Sequence, residues 1–299
     1  MRISDLVAQH IMDMLDENDG GAEIRGYAGR TQNLAVPSAL MGVPVTSIGE
    51  NAFRGCRVLT EITLPQGIRL IGRNAFRNRL KLRKAVLPEG LSVIGEDAFG
   101  GCRCLTEVSF PEGLTAVGNR AFQNCEDLER AILPEGVVSV GAHAFERCGR
   151  LTEVFLPEGL TGIGTAAFQG CFSLKSVRVP EGVTALADMV FLACSGLTEA
   201  ALPRSLRAIG NAAFYACTGL KRLIVPEGVE TIGALAFAGC SSLETVSVPA
   251  SVQSIGTDAF SGCRRLTVSA VSGSFGAAYC MAAGIPPADA NAFVQRERE

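Results

Sequence analysis

Residues 151–173 read LTEVFLPEGLTGIGTAAFQGCFS. The stretch opens on alternation, Val154 and Leu156 against Glu153 and Phe155, the period-two pattern of a strand with one face inward. Pro157 has no N–H to give a ladder, so the strand ends there. Leu156-Pro157-Glu158-Gly159 fits a type I turn with Pro second and Gly fourth. Leu160 and Ile163 then face inward along a second short extended piece, and Gly164 permits a sharp corner. Ala167-Phe168, with Cys171 three residues on, fits a brief helical or 3₁₀ turn. Asn119, Thr165, Asp188, Asn211 and Thr257 precede that turn in their units, as cap-type residues placed to accept a backbone N–H.

The same words recur along the chain. Phenylalanine stands at 53, 76, 99, 122, 145, 168, 191, 214, 237 and 260, always 23 apart, and leucine keeps that interval from Leu59 to Leu266, proline from Pro65 to Pro249. A single unit cannot bury its own apolar edge, whereas stacked units share one interior, each buried Leu, Ile or Phe contributing about 1.5–3 kcal/mol. The period therefore predicts an α/β solenoid of about ten coils, on the order of 50 Å long at strand spacing. One unit departs: residues 185–194 read ALADMVFLAC, with Ala187 at the corner glycine, and Arg204-Ser205 follow where Glu-Gly is expected. A bend, a specialised patch and neutral drift all fit that departure.

The repeat LxxVxLPEGLxxIGxxAFxxC resembles the BspA-type, or treponemal-type, leucine-rich repeats over about residues 45–270. GYAGRTQNLAVPSALMGVPVTSIGENAF is similar to that family's opening half-repeat, and SGSFGAAYCMAAGIPP to its closing cap. The resemblance implies a right-handed superhelix with a parallel sheet on its concave face and short helical or 3₁₀ turns opposite. It also implies binding of other proteins, often in adhesion at a cell surface. The organisation expected is an amphipathic helix over 1–20, a cap half-repeat over 21–46, the solenoid over 47–270, and a cap and tail over 271–299.

The helix rests on Ile3, Leu6, Val7, His10, Ile11, Met14 and Leu15 at helical spacing. Acidic residues interrupt any leader-like apolar run there, so the segment does not read as a secretory signal and the chain is expected in the cytoplasm. The first 25 residues also resemble the opening of the CtsR class of stress-gene repressors, without the helix-turn-helix that follows in that class. An intracellular regulator lacking an intact DNA-binding domain is accordingly the alternative reading. A net charge of −3 gives no electrostatic footprint for nucleic acid, and no apolar run is long enough to span a bilayer.

Cys56, Cys102, Cys125, Cys148, Cys171, Cys194, Cys217, Cys240 and Cys263 form a column that Arg79 breaks once. Stacking sets their Cβ vectors parallel, which disfavours disulfides. With two histidines, His10 and His143, and no C-x-x-C, a zinc set is not expected, nor any cofactor. The thiols read as small buried hydrophobes donating weakly to the backbone of their own turn, with off-column Cys104 and Cys280 the reactive candidates. Glu89, Glu112, Glu135, Glu158, Glu181 and Glu227 form another column, but any repeat at strand pitch brings carboxylates close, so it does not mark a glycosidase pair. No catalytic constellation is found.

What varies is the outward strand face. One column runs Glu61, Lys84, Glu107, Arg130, Glu153, Ser176, Glu199, Arg222, Thr245; its neighbour runs Thr63, Val86, Ser109, Ile132, Phe155, Arg178, Ala201, Ile224, Ser247. A fixed core under variable exposed columns suits a binding surface for a protein partner. Val86, Arg130, Ile132, Glu153, Phe155, Arg178, Arg222 and Ile224 are the candidate contacts, with Phe155 foremost. β-propensity alone would also place Val and Ile on a strand.

Overall fold

The computed structural model describes residues 15–18, 21–27 and 29–288. It is a solenoid whose coils each make three kinds of bond to their neighbours. Three-residue strands from Glu61–Thr63 to Arg222–Ile224 pair in parallel at 23-residue register, as in Arg130↔Glu153 and Ile132↔Phe155. Two-residue strands from Leu70–Ile71 to Ser254–Ile255 form a second parallel ladder.

The third set lies on the turn face. No helix or 3₁₀ segment forms there; alternate N–H groups are shared between the coil and its neighbour. Ala75, Arg77 and Arg79 donate to the carbonyl three residues back, while Asn74, Phe76 and Asn78 donate to Glu96, Ala98 and Gly100 of the next coil at 2.7–2.9 Å. The residue that starts each turn is left-handed, as at Asn74, His143 and Ala166 with φ of 55°, 58° and 55°. That conformation aims its N–H along the stack, and the bond gained offsets a strain of about 1–3 kcal/mol. The cap-type residues serve the same axis: Asn119 Oδ1 accepts from Ala142 N at 2.8 Å and Asp188 Oδ1 from Asn211 N at 2.7 Å, both in the following coil rather than their own turn. The proline turn also falls one residue later than its type I reading, Leu160 N–H donating to Pro157 O at 3.0 Å, because Leu156 stays buried in line with the core.

Inside, the phenylalanines from Phe53 to Phe260 stack face to face with ring centroids 4.6–5.7 Å apart. Tyr27 closes one end against Phe53 and Tyr279 the other against Phe260. At the C-terminal end the strand Thr267–Ala270 extends the front ladder and the helix Phe275–Ala282 covers it, with Ser274 accepting from Ala277 N at 3.2 Å. At the other end Gly21–Ile24 pairs in parallel with Val43–Ile48. The helix expected over residues 1–20 lies mostly outside the described residues. Where description begins, Leu15–Asn18 is instead a strand antiparallel to Gly21–Ile24, which gives that sheet edge its hydrogen-bond partners.

The thiols of the column donate to the preceding coil, not to their own turn: Cys148 Sγ reaches Phe122 O at 3.2 Å and Cys171 Sγ reaches Phe145 O at 3.2 Å. Arg79 fills the same role where the column breaks, its Nη1 donating to Phe53 O at 3.0 Å. Burial pushes Cys56, Cys102 and Cys217 up to about 12, and Cys125, Cys171 and Cys194 well above the ordinary thiol value. Cys280, expected to be reactive, sits on the inward face of the closing helix, buried and raised by that burial, so Cys104 remains the accessible candidate.

The corner glycines set how closely coils approach. A Cβ at Gly141 would lie 2.5 Å from Asn119 N, and one at Gly164 2.4 Å from Ala142 N. From Gly72 to Gly256 each corner glycine donates to the carbonyl 24 residues back, as in Gly164 N to Val140 O at 2.8 Å. The equivalent bond from Ala187 to Ile163 is absent, and the second ladder divides there, between Gly162–Ile163 and Ala185–Leu186. Phe168 and Phe191 beneath are the widest step in the ring stack, at 5.7 Å. The methyl of Ala187 is the physical reason: the unit that departs from the pattern is a seam.

Gly141→Ala should reproduce such a seam and lower stability by about 2–4 kcal/mol, combining overpacking with a lost hydrogen bond; a thermal melt unchanged within error would contradict the account. The raised thiols carry their own consequence. Below the unfolded thiol pKa both states are protonated and nothing is lost; above it the unfolded chain releases protons that the folded chain retains. Stability should therefore fall from about pH 8.5 upward, by roughly 1.4 kcal/mol per pH unit for each buried thiol. Melting followed from pH 7 to pH 10 checks this, and a flat profile would contradict it.

Candidate interaction face

The outward columns of the front ladder stand in the register their spacing predicts. Lys84 Nζ meets Glu107 Oε1 at 3.1 Å, and Arg130 Nη2 meets Glu153 Oε2 at 2.6 Å, each cation pairing with the acid one coil later. These pairs are exposed, so they contribute little to stability, but they fix the side chains across the face. Ile132 and Phe155 lie side by side in paired register, 44% and 45% exposed, with Val86 two coils before Ile132 at 37%. Arg178 reaches sideways to Glu158 at 3.8 Å. Ile224, 63% exposed, and Arg222 stand apart from this group, three coils beyond Phe155.

The front ladder is divided. Strands pair from Asn33–Ala35 to Glu107–Ser109, then Arg130–Ile132 with Glu153–Phe155, then Ser176–Arg178 with Glu199–Ala201, then from Arg222–Ile224 to the C-terminal strand. The divisions recur every second coil, and a threonine stands at each joined step between them. Thr106, Thr152 and Thr198 each donate their hydroxyl to the carbonyl of residue 83, 129 or 175 at 3.1 Å, beside a backbone bond to the same oxygen. Glu129, Lys175 and Lys221 occupy the equivalent positions in the coils that open each division. Core side chains are partly uncovered at these slots: Val108 and Phe110 at the first, Val154 at the second, Ala200 and Leu202 at the third. The Phe110 ring packs edge-on to both Phe122 and Phe145 across the first. Reading the columns singly misses this; the alternation of threonine with charge at 106, 129, 152, 175, 198 and 221 follows the divisions, while charged Arg83 and Glu244 stand where the strands are joined.

The acidic column is used structurally. Glu89 accepts from Glu112 N at 3.3 Å, and Glu181 accepts from Arg204 N and Ser205 N at 3.1 Å. The Arg204 N–H leads in holding Glu181 below its usual value. Among the described residues no group of three or more His, Cys, Asp or Glu stands placed to hold a metal, and no helix is long and apolar enough to cross a membrane.

Comparison with known proteins agrees with this geometry. A profile of the BspA type leucine rich repeat region matches residues 32–151 and 138–267, in 6 copies. The crystal structure of a leucine-rich repeat protein from Bacteroides ovatus is 32% identical with a TM-score of 0.77, over 86% of this chain and 68% of that one. That of the T. pallidum leucine-rich repeat protein is 31% identical with a TM-score of 0.55, over 69% of this chain and 87% of that one. No curated protein matches. Repeat by repeat, in core, corner and turn, the chain belongs to the BspA-type leucine-rich repeat family.

Proposed function

We propose that this chain is a protein-binding scaffold that recognises its partner through the exposed strand face centred on Ile132 and Phe155. The observation that supports this most is their adjacency: two large apolar side chains, nearly half exposed, held in hydrogen-bonded register and flanked by the Arg130–Glu153 pair. An apolar centre inside a polar rim is the anatomy of a binding hot spot. The two residues sit on hydrogen-bonded paired strands, so little backbone ordering is needed on binding. The reading is one of binding without catalysis, since carboxylates of the acidic column serve backbone N–H groups of the next coil. Adhesion to another protein at a cell surface is the role the family resemblance implies for such a face, and it is the role we propose.

Affinity capture with wild type, with Ile132→Ser/Phe155→Ser, and with the turn-face control Arg147→Ser tests it. Partners held by wild type and the control should be lost from the double variant. Recovery of the same set by all three would contradict the proposal.

A further inference from the structure

The third slot differs from the other two in its charge. It opens into a groove of about 1150 Å³ lined by Leu202, Arg204, Lys221, Arg222 and Ile224. Along the outward column every other cation pairs with a glutamate one coil later, Lys84 with Glu107 and Arg130 with Glu153. The residue one coil after Arg222 is Thr245, whose Oγ1 is buried and makes no hydrogen bond. On the other side Glu199 lies across the slot, where the ladder is broken. Among the described residues, the side chains of Arg204, Lys221 and Arg222 therefore have no ion-pair partner. Glu199 and Glu227 also line the groove, neither within ion-pair distance of the three cations. Beside the cations, Ile224 is the most exposed apolar side chain of the strand face, and Leu202 is partly uncovered at the slot.

Resting on the reading of this face as a protein-binding surface, we infer that the groove between Glu199–Ala201 and Arg222–Ile224 takes an extended acidic peptide segment whose carboxylates meet Arg204, Lys221 and Arg222 while an apolar side chain packs on Ile224 and Leu202. Lys221 and Arg222, without an ion-pair partner, supply most of the charge complementarity, and Arg204, whose charge is shared with nearby Glu181, adds to it. The bond from Leu202 N to Ile224 O, equivalent to Val225 N to Ser247 O at 3.1 Å, is not made at the slot. The groove carries no aromatic side chain on which a nucleobase would stack, so a peptide is favoured over a single-stranded nucleic acid.

The test is fluorescence anisotropy with three labelled probes: a nonapeptide alternating glutamate and leucine, its lysine–leucine counterpart, and an oligouridine of similar length. Wild type should bind the glutamate peptide in preference to the other two, and high salt should weaken that binding. Arg222→Glu should weaken it about tenfold or more. Thr245→Glu should weaken it comparably while keeping every cation, because it restores to Arg222 the partner that Lys84 and Arg130 possess. Circular dichroism confirms that both variants remain folded. Equal affinity in wild type and both variants, absence of glutamate-peptide binding, or preference for the lysine peptide or the oligonucleotide would each overturn the inference. The two failures are separable: partner capture lost in Ile132→Ser/Phe155→Ser, with peptide affinity untouched by Arg222→Glu, removes the groove and leaves the strand-face reading standing.

Discussion

The structure depends on how closely one backbone approaches the next at the corner of each coil. The corner glycines sit where a Cβ would fall 2.3–2.8 Å from backbone atoms of the preceding coil, as at Gly95, Gly118, Gly141 and Gly164. Closeness there permits the corner hydrogen bond and brings the second ladder into register, with the phenylalanines stacked beneath. None of these is strong alone, but each coil repeats all of them, and in a one-dimensional array stability accumulates from identical neighbour terms. Ala187 shows the constraint by violating it: one methyl opens one ladder, while the turn face still carries Phe168 N to Val190 O at 2.9 Å.

A second, weaker rule acts on the front face. A threonine at the start of a strand adds a hydroxyl bond to the preceding coil; Glu129, Lys175 and Lys221 stand in that place at the three divisions, whereas at Arg83 and Glu244 the strands pair without the hydroxyl. The result is a front sheet grouped largely in pairs of coils, with the partly uncovered core at each division. The outward column places a cation before a glutamate at Lys84–Glu107 and Arg130–Glu153, while Ser176 stands opposite Glu199. At the last pair Thr245 stands where the glutamate would be, and Arg222 is left with unmatched positive charge.

Much of this was legible in the residues. The 23-residue interval of Phe, Leu and Pro determines the solenoid, and the outward columns follow from strand alternation. The turn face was not legible as built, because its left-handed positions hold Asn, His, Ala, Met and Leu alike; the intercoil bond, not side-chain preference, holds them there. Asn119 and Asp188 look like helix caps for the same reason, since an acceptor placed for an N–H does not say which coil supplies it. The seam at Ala187 could be located in the sequence but not explained, because the clash belongs to a backbone one full coil away. On the outward strand face the exposure of Ile132 and Phe155 was foreseen, whereas the groove was not, since it requires knowing that the ladder parts between Glu199–Ala201 and Arg222–Ile224.

Amide hydrogen exchange at the corner positions tests the central claim most directly. In the wild-type chain the N–H of residue 187 should exchange much faster than those of Gly164 and Gly210, which are bonded to Val140 and Leu186 at 2.8 and 2.9 Å. Replacing Ala187 with glycine should slow it to the rate of its neighbours and raise the melting temperature. Equal protection at all three corners in wild type, or no change on introducing the glycine, would contradict the claim that backbone approach at the corner closes the stack.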